Sequence, residues 1–150
     1  MLRLKKEDLK AIEAIAEQSY PHECCGIMVG AVQDGVKEVT RLVSAANQRA
    51  DSLANRYLIP AEIVSQVERD LIGTGASILG FFHSHPDAPA RPSTFDRDHA
   101  WPWYSYLIVS VQQGRALEVQ NWQLKEDRSA FDAQQLEIVD EQAGNGGTAT

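Results

Sequence analysis

The sequence predicts an α+β (mixed α/β) domain, with one mostly antiparallel sheet flanked by helices. Segments with apolar residues at helical spacing occur between short apolar runs typical of strands. Two pairs of these runs are joined by short polar turns, Asp34-Gly35 and Gln113-Gly114, which indicates antiparallel hairpins. The length of 150 residues is that of one ordinary domain with a real hydrophobic core.

The amino-terminal third predicts a helix followed by a hairpin. Residues 7–19 place apolar side chains on one face and charges on the other, and Pro21 ends that helix. Residues 26–32 and 36–43 are apolar runs on either side of Asp34-Gly35, a dipeptide suited to a tight turn. We therefore expect two antiparallel strands directly after the first helix.

The middle of the chain predicts a polar connection, a second helix and a buried strand. Residues 44–56 are polar and irregular, and residues 57–59 predict a short strand before Pro60, which suits a first helical position. The second helix stops near two glycines and has one apolar face, made of Ile63, Val64, Val67 and Leu71. Residues 77–82 form an apolar run that predicts a buried strand.

A short helix is expected after a proline-rich loop. Ser93 or Thr94 caps it, and Asp96 lies in its first turn on the same face as Ser93. Three aromatic residues follow, and we expect them to pack against the sheet, with an aromatic wall for a bound peptide as the alternative: Trp101, Trp103 and Tyr104.

The carboxyl-terminal part predicts a second hairpin, one more strand and a tail. Residues 106–111 pair with residues 116–122, and residues 136–139 form a last strand. Residues 144–150 are small and polar, which predicts disorder. We therefore expect a single domain over residues 1–143.

Charge and cysteine content exclude several classes of protein. The formal net charge of -7 argues against nucleic acid or an anionic membrane as a partner, because both require a basic surface. The start of the chain turns polar within a few residues, and no later run is long enough to span a bilayer. Cys24 and Cys25 are adjacent, so a disulfide between them would be strained; we expect both to line the core in a reduced, cytoplasmic protein.

The segment His83-Ser84-His85-Pro86 points to a metal site. Residues two apart on a strand face the same side, so His83 and His85 project side by side after the apolar run. Asp96 is the nearest oxygen ligand after the proline-rich loop, with Asp98 and His99 as rivals. Two imidazoles and one carboxylate leave a fourth position open, which is the catalytic pattern for zinc.

Catalytic zinc implies a hydrolase, because zinc lowers the pKa of bound water from about 16 to about 7. Such an enzyme also needs a general base and a donor that stabilises the developing oxyanion. Ser93 suits the donor role and has a structural alternative as a helix N-cap. Glu23 lies among apolar residues at the entry to the first strand, although position alone does not select it among the acids of the chain.

These residues together resemble one known family. His83 and His85 are followed after seven residues by Ser93 and after two more by Asp96, and Glu23 lies upstream before a strand. This arrangement is similar at every signature position to the JAMM (MPN-plus) zinc metalloproteases.

The prokaryotic branch of that family shares further segments with this chain. Its opening is similar to the run from Pro21 to Gly26, Pro-His-Glu-Cys-Cys-Gly, and a later segment is similar to Asn55-Arg56-Tyr57. The resemblance extends from the first helix to about Trp122 and implies a JAMM/MPN-like fold.

The resemblance also implies roles for individual residues. It implies that His83, His85 and Asp96 bind Zn²⁺, that Glu23 is the general base and acid, and that Ser93 hydrogen-bonds to the oxyanion. It further implies hydrolysis of an amide bond at the C-terminus of a ubiquitin-like protein. The compact chain is similar to stand-alone enzymes that act on ubiquitin-like sulfur carrier proteins, so the expected reaction removes a C-terminal residue or short extension after Gly-Gly.

Two other functions stay open at this point. One is a zinc peptidase or isopeptidase with another substrate, such as a cell-wall peptide or a phage-tail protein. The other is a non-catalytic MPN scaffold, a class whose members usually lack the ligands that this chain keeps. The sequence leaves the oligomeric state open.

Overall fold

The computed structural model describes residues 1–45 and 59–140. Within them, no helix is long and apolar enough to cross a membrane. In chain order the described elements are β1 (Leu2–Lys5), α1 (Lys6–Ser19), β2 (Cys25–Gln33), β3 (Val36–Ala45), α2 (Ala61–Leu71), β4 (Ser77–Pro86), α3 (Thr94–His99), β5 (Ser105–Gln112), β6 (Arg115–Leu124), β7 (Phe131–Gln134) and β8 (Leu136–Val139).

The described strands form one sheet in the order β7-β6-β5-β4-β2-β3-β1-β8. The pairs β2/β3, β2/β4, β5/β6 and β6/β7 are antiparallel. The pairs β1/β3, β1/β8 and β4/β5 are parallel. The sheet is therefore mixed and mostly antiparallel, as predicted.

The two long helices cover opposite faces of this sheet. The side chains of β2 point alternately toward α1 and toward α2, because successive side chains of a strand point to opposite sides. Met28 packs in a core cluster with Ile12 and Ala16 of α1. Ile27 and Val29 pack in a second cluster that contains the α2 residues Val67 and Leu71. The prediction of one sheet between helices is confirmed.

Several elements differ from expectation. Strands β1 and β7 were not predicted, because each has four residues of which only two are apolar, whereas three of the four residues of the predicted β8 are apolar. Strand β4 continues to Pro86, so both histidines lie within it. Residues 57 and 58 of the expected short strand and the expected tail at 144–150 lie outside the described residues.

The prediction that the tryptophans pack against the sheet is wrong. Trp101 is 64% exposed, and Trp103 is 44% exposed. The reason is that β5 begins only at Ser105, so both residues lie in the turn before the sheet starts. Tyr104 does pack as predicted, with its ring centroid 5.4 Å from that of Phe81. Cys24 and Cys25 are buried and free, also as predicted.

Gly80 sets how closely β5 approaches β4. The two strands pair in parallel with Gly80 opposite Ser105. A Cβ atom at Gly80 would lie 2.0 Å from the Ser105 carbonyl oxygen, a backbone atom that cannot rotate away. The absence of a side chain here therefore permits the strand pair that carries both histidines.

We predict that Gly80→Ala destabilises the protein by about 1–3 kcal/mol, because the added methyl group forces the two strands apart. Urea unfolding followed by circular dichroism measures this change. Ala133→Val, which adds carbon atoms at an exposed position of β7, is the matched control and should leave the midpoint nearly unchanged. Equal midpoints for Gly80→Ala and the unaltered protein would contradict the prediction.

Candidate metal centre

His83 and His85 lie near the carboxyl end of β4, between β2 and β5. They are two residues apart on the strand and share one face, as predicted. Both side chains are buried, and their Nε2 atoms are 3.2 Å apart. Two imidazole nitrogens therefore point at one position in the protein interior.

Asp96 completes this cluster from the first turn of α3. Its Oδ1 lies 3.3 Å from His83 Nε2, and its Oδ2 lies 3.1 Å from His85 Nε2. Helix α3 belongs to the connection between β4 and β5, and this connection brings the carboxylate back over the strand that it leaves. Among the described residues, His83, His85 and Asp96 are the only group of histidine, cysteine or acidic side chains placed to hold a metal ion.

Ser93 fixes the orientation of Asp96 through a capping box. The Ser93 hydroxyl accepts a hydrogen bond from the Asp96 backbone N–H at 3.1 Å. In return, the Ser93 backbone N–H donates to Asp96 Oδ2 at 2.8 Å. The structural role considered for Ser93 is therefore present, and it aims the carboxylate at the histidines.

The Pro89 carbonyl oxygen orients the His85 ring. It lies 2.9 Å from His85 Nδ1, and a carbonyl can only accept, so Nδ1 carries the hydrogen. In neutral His85 the unprotonated nitrogen is therefore Nε2, and its lone pair points toward His83 and Asp96. Backbone carbonyls commonly hold metal-binding histidines in this way. Sequence patterns carry no signal for a backbone contact, so Pro89 was missed in this role.

Burial and mutual charge set the protonation of the cluster. Burial lowers the pKa of His83, and the neighbouring Asp96 charge offsets only part of that effect. Burial also lowers the pKa of His85, but its hydrogen bond to Asp96 and the Asp96 charge outweigh burial and raise it. Burial raises the pKa of Asp96, yet the two histidines hold it well below its ordinary value. An ionised carboxylate beside imidazole nitrogens is the state that binds metal cations.

Glu23 lies beside this cluster, just before β2. Cys24 and Ser84 are joined by two hydrogen bonds, from Cys24 N–H to Ser84 Oγ at 2.8 Å and from Ser84 N–H to the Cys24 carbonyl at 3.2 Å. Continuing this antiparallel register by one residue puts Glu23 opposite His85. Glu23 is buried, and its charge raises the pKa of His85. The tertiary structure therefore brings Glu23 next to the cluster, which its position in the sequence alone did not predict.

The rival ligands lie elsewhere. Asp98 and His99 are exposed, and His99 Nδ1 is 2.9 Å from the Phe95 carbonyl oxygen of its own helix.

Ser84 was not singled out in the sequence, yet its hydroxyl accepts a hydrogen bond from the Cys24 N–H and so holds the segment that carries Glu23. The position of Ser84 between the two histidines was the only sequence feature that could have indicated this role.

The donor set fits a divalent metal ion. Two imidazole nitrogens and one carboxylate converge from buried side chains, and each is oriented by its own strand or helix. Three protein ligands of this type leave a coordination position open for water or substrate, which is typical of catalytic rather than structural metal sites. The arrangement therefore suits activation of a water molecule next to Glu23.

Two sequence relatives resemble this chain over much of its length. A desampylase of Haloferax volcanii is 37% identical over 91 residues, which cover 60% of this chain and 63% of that protein. A tail tip assembly protein K of Escherichia phage N15 is 26% identical over 121 residues, which cover 78% of this chain and 44% of that protein. The matching regions span less than two thirds of each relative.

Solved structures share the fold. A protein of Desulfitobacterium hafniense is similar with a TM-score of 0.77 and 30% identity, covering 93% of this chain and 94% of that one. A JAB1/MPN domain protein of Archaeoglobus fulgidus is similar with a TM-score of 0.56 and 18% identity, covering 93% of this chain and 98% of that one. The expected JAMM/MPN-like fold is confirmed. Residues 5–125 match the family of prokaryotic homologues of the JAB domain, and the chain belongs to that family.

Proposed function

We propose that this protein is a zinc metallopeptidase of the JAMM type that acts on a ubiquitin-like sulfur carrier protein. In this proposal it hydrolyses an amide bond at the C-terminus of the carrier and removes a residue or short extension after Gly-Gly. The observation that carries the proposal is the convergence of His83, His85 and Asp96 in a buried cluster beside Glu23. We assign residues 1–143 to a single catalytic domain, and the single sheet formed by the described strands supports this assignment.

Zinc is the metal that we assign to this cluster. His83 Nε2, His85 Nε2 and one Asp96 oxygen would hold it, and nitrogen and oxygen donors of this kind suit zinc. When bound, zinc would supply Lewis acidity and a water whose pKa is lowered to about 7.

Glu23 is the general base and acid of the proposed reaction. Its carboxylate accepts a proton from the attacking water as the water oxygen bonds to the scissile carbonyl carbon. It then returns the proton to the leaving nitrogen as the C–N bond breaks, so the reaction consumes one water and is balanced. The burial of Glu23 and the effect of its charge on the pKa of His85 support this assignment.

Ser93 stabilises the oxyanion in this proposal. Its oxygen already accepts a hydrogen bond from the Asp96 N–H, but a hydroxyl retains its own hydrogen to donate. The same side chain can therefore cap α3 and donate to the substrate oxygen. A donor aimed at developing negative charge is among the larger contributions to amide hydrolysis.

An aromatic groove next to the cluster suits an extended peptide tail. Phe81 lies two residues before His83 on the same face of β4, and it lines a cavity of about 290 Å³. The other lining residues include Tyr104, Tyr106 and Trp101. A Gly-Gly tail is narrow enough to lie in this groove with its carbonyl directed at the cluster.

The relatives support the class of substrate. The similarity to the desampylase of Haloferax volcanii favours a hydrolase that acts on a ubiquitin-like protein. The similarity to tail tip assembly protein K favours, as a second candidate, a peptidase that serves phage-tail assembly. Two free, buried cysteines are consistent with the reduced cytoplasm that the first candidate requires.

We predict that His85→Ala loses zinc, because two remaining protein ligands bind it weakly. The measurement is the zinc content of purified, dialysed protein by atomic emission. His99→Ala is the matched control, since His99 is exposed and lies outside the cluster, and it should keep the metal. Full zinc occupancy in His85→Ala would refute the ligand assignment.

Glu23→Gln should retain zinc and lose cleavage, since the amide cannot take up the proton of the attacking water. The expected loss in turnover is about 100-fold or more. Glu126→Gln, an exposed change of the same chemistry, is the control and should cleave normally. Turnover of Glu23→Gln within a few-fold of the unaltered enzyme would rule out the base assignment.

Ser93→Ala should slow turnover by about 100-fold or more through the lost oxyanion donor. It should also lower unfolding free energy by about 1 kcal/mol through the lost cap. Ser93→Thr, which keeps both hydroxyl functions, should restore most of each property. A variant that loses stability but keeps full turnover would leave Ser93 only its capping role.

The substrate is tested by intact-mass analysis of carriers that end in Gly-Gly plus one residue. We expect release of that residue and no cleavage of cell-wall peptides or phage tail-tip proteins. Cleavage of those alternatives alone would overturn the carrier assignment while leaving the zinc peptidase assignment in place.

A further inference from the structure

A cavity distinct from the aromatic groove borders the metal centre at the start of α3. Its volume is about 310 Å³, and none of its lining residues lines the aromatic groove. The lining combines the arginines Arg91 and Arg97 with the rings of Trp122 and Phe131, and it includes Ser93. The proposed reaction uses only Ser93 of this set, so the two cations next to the metal centre have no role in it.

Strand pairing places this cavity on the metal-binding face of the sheet. Phe81 of β4 packs against the α2 cluster, and His83, two residues later, shares its face. Phe81 pairs with Tyr106 of β5, and Tyr106 pairs with Trp122 of β6. Residues that pair across neighbouring strands point to the same side of a sheet. The ring of Trp122 in the cavity wall therefore lies on the same face as the two histidines.

Ser93 connects the cavity to the metal ligands. It lines the cavity, and its backbone N–H donates to Asp96 Oδ2 at 2.8 Å. In the proposed reaction its hydroxyl contacts the oxygen of the scissile carbonyl. The leaving nitrogen is bonded to the same carbonyl carbon, so the leaving residue begins close to Ser93. Because the aromatic groove takes the Gly-Gly side of the bond, this cavity is the space next to Ser93 for the residue beyond it.

The loop that carries Arg91 is held firmly in place. The carbonyl oxygens of residues 88, 89 and 90 accept hydrogen bonds from side chains of β5, β4 and β6, at 2.5, 2.9 and 3.0 Å, respectively. The Arg91 guanidinium that follows is exposed, and it makes no ion pair with the described residues. Arg91 therefore has a fixed backbone and keeps its N–H donors for a ligand.

Arg97 supplies a second positive charge to the same cavity. Its Nε lies 3.8 Å from Asp98 Oδ1, a distance longer than a hydrogen bond. Both side chains are about half exposed, and exposed ion pairs of this kind contribute little. Asp98 is not part of the lining, which contains no acid. The cavity is therefore positively charged in a chain whose formal net charge is -7, and it suits an anion.

We propose that this cavity binds the free α-carboxylate of the residue that leaves, with Arg91 as its main contact and Arg97 beside it. Guanidinium groups bind carboxylates through two parallel N–H···O hydrogen bonds. The rings of Trp122 and Phe131 provide an apolar wall for the side chain of the same residue. This inference rests on the proposed function and deepens it, because it makes the enzyme selective for bonds at the very end of a chain.

The same chemistry disfavours two other kinds of substrate. An isopeptide bond to a lysine side chain has no free carboxylate on the adjacent atoms, and neither has a peptide bond inside a longer chain. Both would leave the two arginines without an anion. Acidic side chains on the folded part of the carrier could also meet these arginines, but that contact would not depend on the end group of the carrier.

Cleavage of two versions of one ubiquitin-like sulfur carrier protein tests the proposal. Both are made by semisynthesis and end in Gly-Gly-Leu, one as the free acid and the other as the carboxamide. The zinc-loaded enzyme should cleave the acid with a kcat/KM about tenfold or more above that of the amide, because the amide lacks the charge. Equal kcat/KM values would overturn the proposal and leave the peptidase function standing. Cleavage of neither carrier by zinc-loaded enzyme would overturn the peptidase function, and this inference with it.

A variant of Arg91 completes the test. Arg91→Met should lower kcat/KM for the acid by about tenfold, to the value for the amide, because only the acid engages the guanidinium. Arg115→Met is the matched control, since Arg115 is exposed at the start of β6 and outside the cavity, and it should keep the preference for the acid. Equal losses on both carriers in Arg91→Met would refute the carboxylate contact and indicate an acidic surface of the carrier instead. If Arg91→Met does not fold, the two-carrier comparison on the unaltered enzyme decides.

Discussion

The candidate centre depends on the placement of one buried carboxylate, that of Asp96. Ionised carboxylates are costly to bury unless hydrogen bonds and opposite charge compensate them. Here the Ser93 backbone N–H donates to one oxygen, and the two histidine rings lie against both oxygens. These contacts keep Asp96 ionised and fix α3 over the end of β4. Without them, His83 and His85 would be two imidazoles at the end of a strand.

The position of Asp96 follows from the pairing of two strands. β4 and β5 are parallel, and parallel neighbours cannot be joined by a tight turn. The chain must cross back over the sheet through residues 87–104, and α3 lies in that crossover. Because this connection contains α3, it places the Asp96 carboxylate beside the two histidines. Gly80 is part of the same arrangement, because only a residue without a side chain allows β5 to approach β4 so closely.

β4 also explains how one small sheet can hold two polar sites. Its carboxyl end supplies two imidazoles on the α2 face, whereas the Leu79 carbonyl near its other end accepts from Lys37 on the α1 face. A hydrophobic cluster covers each face of the sheet around these polar groups. Two clusters of polar side chains can therefore remain buried in one small domain, each with its own electrostatic environment.

The sequence by itself determined the local features: the long helices, most strands, the hairpins and the spacing of His83, His85 and Asp96. These follow from residue periodicity and turn preference, which act over a few neighbouring positions. It did not determine strand β1, the parallel pairing of β1 with β3 and β8, the exposure of Trp101, or the pairing of Lys37 with groups of β4 and β5. Only the tertiary structure decided these, because they depend on which strands become neighbours. That choice is made by burial of apolar surface across the whole sheet, which no short segment encodes.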